Sequence, residues 1–211
     1  MKEMPVINGE QMLVNSNLVL TSRLSDGDYT RTSLSNRLGQ SLQLAEQLFG
    51  PRNPLYTILG VDFSTMDHPT QIFVGAEHRQ VIVLLTQKSA QDEMNALYTL
   101  SHETFHLLSP GATTGTFLEE GLAVFLSQCF MVLSKQPFSR ECIGAGAYLE
   151  AYDDVCALLL CCADMKEKIS EFRVEPEFRQ ITSMTDDEFR LLFPLAPEQL
   201  RSRLLRKFTA Q

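Results

Sequence analysis

The sequence predicts an α+β fold, with a small antiparallel-edged sheet carrying a hairpin, packed on helices, and a helical C-terminal half. Three observations lead there. Residues 71–76 and 80–86 are two β-rich runs separated by Glu77, His78 and Arg79, a spacing suited to an antiparallel hairpin. Residues 32–49 carry Leu34, Leu38, Leu42, Ala45 and Leu48 at helical spacing and run into Gly50-Pro51, a strong stop. From residue 89 onward the apolar pattern is helical almost throughout.

Taken in order, residues 1–31 are poorly patterned. Met12-Leu13-Val14 and Leu18-Val19-Leu20 suggest a short hairpin around Asn15-Ser16-Asn17, and Ser25-Asp26-Gly27-Asp28 is turn chemistry. The organised domain is expected over 32–211, with the sheet and first helices in 32–109 and a helical part in 116–211. Residues 55–63 read as a strand, and the unbroken apolar run 81–85 belongs inside the sheet. His68 and His78 sit in polar, turn-like surroundings and read as exposed loop histidines.

Ser89 with Asp92 three residues later is a capping signal for the next helix, on which Met94, Leu97, Ser101, Phe105 and Leu108 line one stripe. That helix should stop near Ser109, ahead of Pro110 and Gly111. A second helix is expected from 119 to 133, a loose connection through Pro137 and Gly144-Ala145-Gly146, and a third long helix over 148–165. A charged surface segment then runs to 178. Thr185-Asp186-Asp187-Glu188 is a capping box, and Pro197 suits the first turn of a last helix bearing Leu200, Leu204 and Phe208.

With 211 residues, 44% of them hydrophobic, the chain can bury one substantial core. Its 18 basic and 26 acidic residues give a formal charge of −8, the wrong sign for a nucleic-acid partner. The apolar runs 121–133 and 155–163 are too short for a membrane span, and no signal-peptide pattern opens the chain, so a cytoplasmic protein is expected. Five cysteines without C-x-x-C spacing suggest buried free thiols rather than a disulfide framework.

The chemistry is concentrated in Leu100-Ser101-His102-Glu103-Thr104-Phe105-His106. On a helix turning about 100° per residue, His102 and His106 return to nearly one face with Glu103 flanking them. Two neutral imidazoles can hold Zn²⁺, a third protein ligand leaves a position open for water, and an adjacent carboxylate can take that water's proton. His102, Glu103 and His106 lie off the apolar stripe, so the helix can pack by one face and present the three from another.

Together with Leu118-Glu119-Glu120-Gly121-Leu122-Ala123, this motif resembles the gluzincin zinc metallopeptidases, and among them the small peptidase-MA-like proteins. The specific part covers about 25 residues; a weaker likeness of element order extends over 35–206. The resemblance implies a minimal zincin fold and one Zn²⁺ per chain. It makes His102, His106 and Glu120 the metal ligands, Glu103 the base and proton shuttle, and a peptide or protein the substrate. Ala112, where a metzincin has its third histidine, excludes that group. No stretch for gripping a substrate amino terminus is present, so endopeptidase action is expected. Val124, one turn past Glu120, cannot supply the carboxylate that orients a ligand histidine in thermolysin-like relatives.

For the hydroxyl that steadies the oxyanion, relatives use a residue on a later helix. Tyr148 is the candidate here and Tyr152 the reserve. Gly121 would let the second helix approach the first closely. Thr116, three before Glu119, forms a T-x-x-E capping box that assigns Glu119 to the helix start and leaves Glu120 for the metal. The alternative reading is a non-catalytic zincin-like domain that keeps zinc as a structural element and serves as a protein-binding module.

Overall fold

A computed structural model of the chain describes residues 31–75, 77–111, 114–174 and 177–209. The hairpin and turn expected within 1–30 lie outside the described residues. Helix α1 (Arg31–Phe49) divides its apolar residues between two cores: Leu34, Leu38 and Leu42 face the sheet, while Leu44, Ala45 and Phe49 join the helical half. It ends as the sequence indicates, at Gly50 with φ 81° followed by Pro51.

Three strands follow, β1 (Thr57–Ser64), β2 (Thr70–Val74) and β3 (Gln80–Thr86), in the sheet order β1-β3-β2. The hairpin is present, since β2 and β3 pair antiparallel from Thr70↔Leu84 to Val74↔Gln80. β1 instead pairs parallel with β3, from Thr57↔Gln80 to Ser64↔Thr86. The link over 65–69 therefore crosses the end of β3 to reach β2. The apolar run 81–85 is central, with Val81, Val83 and Leu85 buried toward α1 and the next long helix. β2 forms one edge of the sheet.

Residues expected to open a single helix at Ser89 form two. Thr86 caps α2 (Gln87–Gln91) by accepting from the Ser89 N–H. Asp92 then leaves helical geometry, at φ −128° and ψ 106°, and its side chain accepts from the Asn95 N–H to start α3 (Glu93–His106). Asp92 is thus an N-cap itself, the position at which a short carboxylate serves a helix best.

Helix α3 is packed on two faces rather than the one expected. Leu97 and Phe105 enter the helical core, whereas Ala96, Leu100 and Leu107 pack with the sheet and the first half of α1. The remaining narrow face carries His102, Glu103 and His106.

Beyond α3 come α4 (Phe117–Leu133), the single turn α5 (Arg140–Ile143) and α6 (Ala147–Cys161). The third long helix expected to reach 165 stops earlier, because Cys162 leaves helical geometry. A separate helix α7 (Met165–Val174) replaces most of the expected surface segment and buries Ile169, Phe172 and Arg173. The Arg173 guanidinium donates to the carbonyls of Phe49, Gly50, Pro51 and Leu108 and to Ser109 Oγ, binding the end of α1 to the segment that leaves α3. The last helices are α8 (Asp186–Leu192), opened by the complete Thr185/Glu188 capping box, and α9 (Glu198–Leu205), which starts directly after Pro197.

Two contacts close the helical half. Buried Asp154 on α6 accepts from Arg203 on α9 at 2.7 Å. The tail after α9 pairs with the segment before α4, through a Thr116↔Lys207 bridge and a bond from the Phe208 N–H to the Gly115 carbonyl. Gly121 does permit close packing, but against α6 rather than α3: a Cβ there would lie 2.3 Å from the Ala151 carbonyl oxygen. Among the described residues no helix is long and apolar enough to cross a membrane.

Candidate metal centre

The two histidines lie one turn apart on α3, whose regular i,i+4 backbone brings both rings to one side. α4 lays Glu120 across them from its first turn. Nε2 of His102 stands 3.1 Å from Glu120 Oε2 and 3.4 Å from His106 Nε2, and Nε2 of His106 stands 3.8 Å from Glu120 Oε1. All three groups offer donor atoms within 4.8 Å of one another. Zinc–nitrogen and zinc–oxygen bonds of roughly 2.0–2.2 Å put tetrahedral ligands about 3.3–3.6 Å apart, and the observed separations bracket that edge. His102, His106 and Glu120 can therefore hold a metal ion without rearrangement of the fold.

Electrostatics matches the geometry. Burial works against a charged His106, but the carboxylate of Glu120, then Glu119 and Glu103, outweigh it and lift the imidazole to about 10. Glu120 is likewise opposed by burial, yet the facing His106 and His102 rings hold its carboxyl below the usual range. A site this rich in carboxylate stabilises positive charge at its centre.

No family model matches the chain, and neither a curated protein nor a solved structure matches it. The donors and their spacing alone carry the functional reading.

The metal group lines a cleft of about 650 Å³, and the cleft gathers most of the residues singled out in the sequence. Glu103 lines it beside the two histidines. Tyr148 lines it too, its ring meeting that of His102 edge to face with centroids 5.6 Å apart and resting on Phe208 at 4.7 Å. Burial, and then the charges of Glu120 and Glu103, push the Tyr148 phenol up to about 12, so it stays protonated at neutral pH. Tyr152, the reserve, does not belong to the site: its hydroxyl donates to Gln128 Oε1 at 2.6 Å, and its ring packs with Val124 and Ile143. His68 and His78 are exposed, as expected of loop histidines. His68 pairs with Asp67 at the cleft rim, and His78 adopts φ 52° in the hairpin turn.

Glu119 departs from its expected role. Thr116 does cap α4, accepting from the Glu119 N–H, but the Glu119 carboxylate turns inward to His106 Nδ1 at 3.4 Å.

Three further residues belong to the site without having been anticipated. Tyr98, one turn before His102 on the same helical face, lines the cleft and stacks on Phe138; extending the 102/106 spacing backwards would have found it. Gln71 on β2 donates to the Glu103 carbonyl at 3.2 Å and ties the sheet edge to the centre of α3. Gly115 lies under Glu120, where a Cβ would come within 2.5 Å of Oε1. The last two contacts are long-range or depend on a loop path, and no local pattern announces them.

Proposed function

We propose that this chain is a zinc-dependent metallopeptidase of gluzincin type, hydrolysing peptide bonds within a peptide or protein substrate. The observation that supports the reading most directly is the His102–His106–Glu120 group, with donor separations of 3.1–3.8 Å suited to a tetrahedral ion, in one cleft with Glu103. Two imidazoles and a carboxylate are a ligand set used by catalytic zinc, which keeps a fourth position open. A purely structural site has no use for a carboxylate beside that position.

Zinc held there would supply Lewis acidity, polarising the scissile carbonyl and lowering the pKa of a neighbouring water. The chain's own groups supply the rest. Glu103 accepts a proton from the attacking water and returns it to the departing amine nitrogen. Tyr148, protonated and beside His102, donates to the oxyanion of the tetrahedral intermediate. Thr70, Gln71 and Phe73 of the edge strand β2 form a wall of the cleft, where an extended peptide can add as a further strand and lie past the site. Gln71 holds that edge in register with Glu103.

The test combines metal analysis with cleavage. Purified chain is expected to take up one zinc, and incubation of the loaded protein with a proteome-derived peptide library is expected to yield new internal termini by mass spectrometry. Glu103→Gln should keep its zinc and its melting temperature and lose those cleavages. Failure to take up zinc at neutral pH, or equal cleavage by the Gln variant, would refute the proposal.

A further inference from the structure

Val124 cannot supply an orienting carboxylate, and the structure places another, that of Glu119, beside the His106 ring. We infer that Glu119 is a positioning residue that holds the His106 ring through Nδ1 and thereby directs Nε2 to the metal, an inference that rests on the zinc reading above.

The His106 imidazole is suspended between two carboxylates. Its Nδ1 faces Glu119 Oε1 at 3.4 Å, and its Nε2 faces the metal group, 3.4 Å from His102 Nε2 and 3.8 Å from Glu120 Oε1. A ring donating from Nδ1 must present Nε2 as the lone-pair nitrogen, so the Glu119 contact selects the tautomer that can ligate. The 3.4 Å separation is an ion-pair contact rather than a short hydrogen bond, and a ring shift of about 0.5 Å brings it to ordinary hydrogen-bond length.

Glu119 is only 4% exposed, and its second oxygen, Oε2, is buried without a hydrogen-bond partner. A carboxylate is expensive to bury, and helix capping does not account for this one. Thr116 takes the Glu119 backbone N–H, which any residue but proline would provide, and the Glu119 side chain contributes nothing to that bond. What the side chain does meet is His106. Val124, meanwhile, is fully buried beside Tyr152 and Ile143. α4 therefore supplies a ligand and its supporting carboxylate from adjacent residues in its first turn.

The experiment measures zinc affinity by competition with a chromogenic chelator for the full chain and for Glu119→Ala, Glu119→Gln and Glu120→Ala. Histidine ¹⁵N–¹H spectra of the zinc-loaded proteins accompany it. Glu119→Ala is expected to weaken zinc binding about 10- to 100-fold, the usual cost of losing such a partner. Glu119→Gln, nearly isosteric and with an amide oxygen still able to accept, should recover part of that loss and guards against a folding defect in the Ala variant. The loaded wild type should show a protected Nδ1–H on His106 that the Ala variant loses. Glu120→Ala should weaken binding further than either. Affinity within twofold of wild type in both Glu119 variants, with the His106 signals unchanged, overturns the inference while leaving the zinc site intact. A wild type that takes up no zinc overturns both, and that arm reports it separately.

Discussion

Gly115→Ala separates metal affinity from fold stability. A Cβ at residue 115 would sit 2.5 Å from Glu120 Oε1 and 3.3 Å from Glu120 Cδ and Cγ. An ordinary contact needs roughly 3.4 Å or more, so the carboxylate must retreat by about 0.9 Å. A ligand oxygen works within about 0.2 Å of its bond length, so a displacement of that size leaves the site with a strained third ligand or with two histidines. Zinc affinity should fall at least tenfold. The fold, by contrast, should hold: the clash is with the end of a flexible side chain, and removing a glycine where φ is not positive reduces the unfolded chain's freedom by about 0.4–1 kcal/mol. Chelator competition and thermal denaturation of the metal-free protein read the two effects independently. Unchanged zinc affinity in Gly115→Ala would show that Glu120 is not held as described, and a large fall in melting temperature would show that the glycine serves the backbone instead.

The raised pKa of His106 makes metal uptake a proton-releasing step. Between pH 6.5 and about 10 the metal-free imidazole is charged in the folded protein, so zinc must displace its proton, and affinity should climb about tenfold per pH unit in that window; calorimetry in buffers of different ionisation enthalpy counts the protons. The same shift stabilises the metal-free fold fully below the unfolded value near 6.5 and is lost as pH rises through about 10, whereas the contribution of Glu120, whose pKa is lowered, is present above about 4.5 and lost in acid, so denaturant midpoints against pH should fall on both sides. Tyr148→Phe should lower kcat about 10²- to 10³-fold with little change in KM, as for an oxyanion donor, and an unchanged kcat would leave Tyr148 a packing residue. Gly121→Ala forces a Cβ to within 2.3 Å of the Ala151 backbone oxygen, so α4 and α6 must part at a cost of about 3 kcal/mol, read as a drop of several degrees in melting temperature.

What was legible in the sequence was what a short window determines. The His102/His106 pairing follows from helical repeat alone, the β2–β3 hairpin from two apolar runs and the residues between them, and the Thr185 box from four consecutive residues. Elements set by distant partners were not legible. The parallel pairing of β1 with β3 depends on a crossover past a strand that comes later in the chain, and the break at Cys162 appears only once α7 has a core to join. Arg173 reads as part of a charged surface run, yet it is buried among carbonyls contributed by residues more than sixty positions away.

Glu119 shows why an adequate local explanation can hide a second role. T-x-x-E accounts for a glutamate at the third position of a helix, and the backbone half of that motif is indeed formed by Thr116. Whether the side chain completes the box depends on what else lies within reach, and here the choice is between the Thr116 backbone N–H and the partly buried imidazole of His106. At Thr185 the same motif has no such competitor: Glu188 accepts from the Thr185 N–H and hydroxyl, both at 2.8 Å, with an ion pair to Arg179 besides. One pattern thus ends in two structures, decided by the histidine that α3 places opposite α4. A carboxylate that leaves a capping box to be buried with one oxygen unpartnered gives up a favourable local arrangement, and the position of His106 between Glu119 and the metal group supplies the reason.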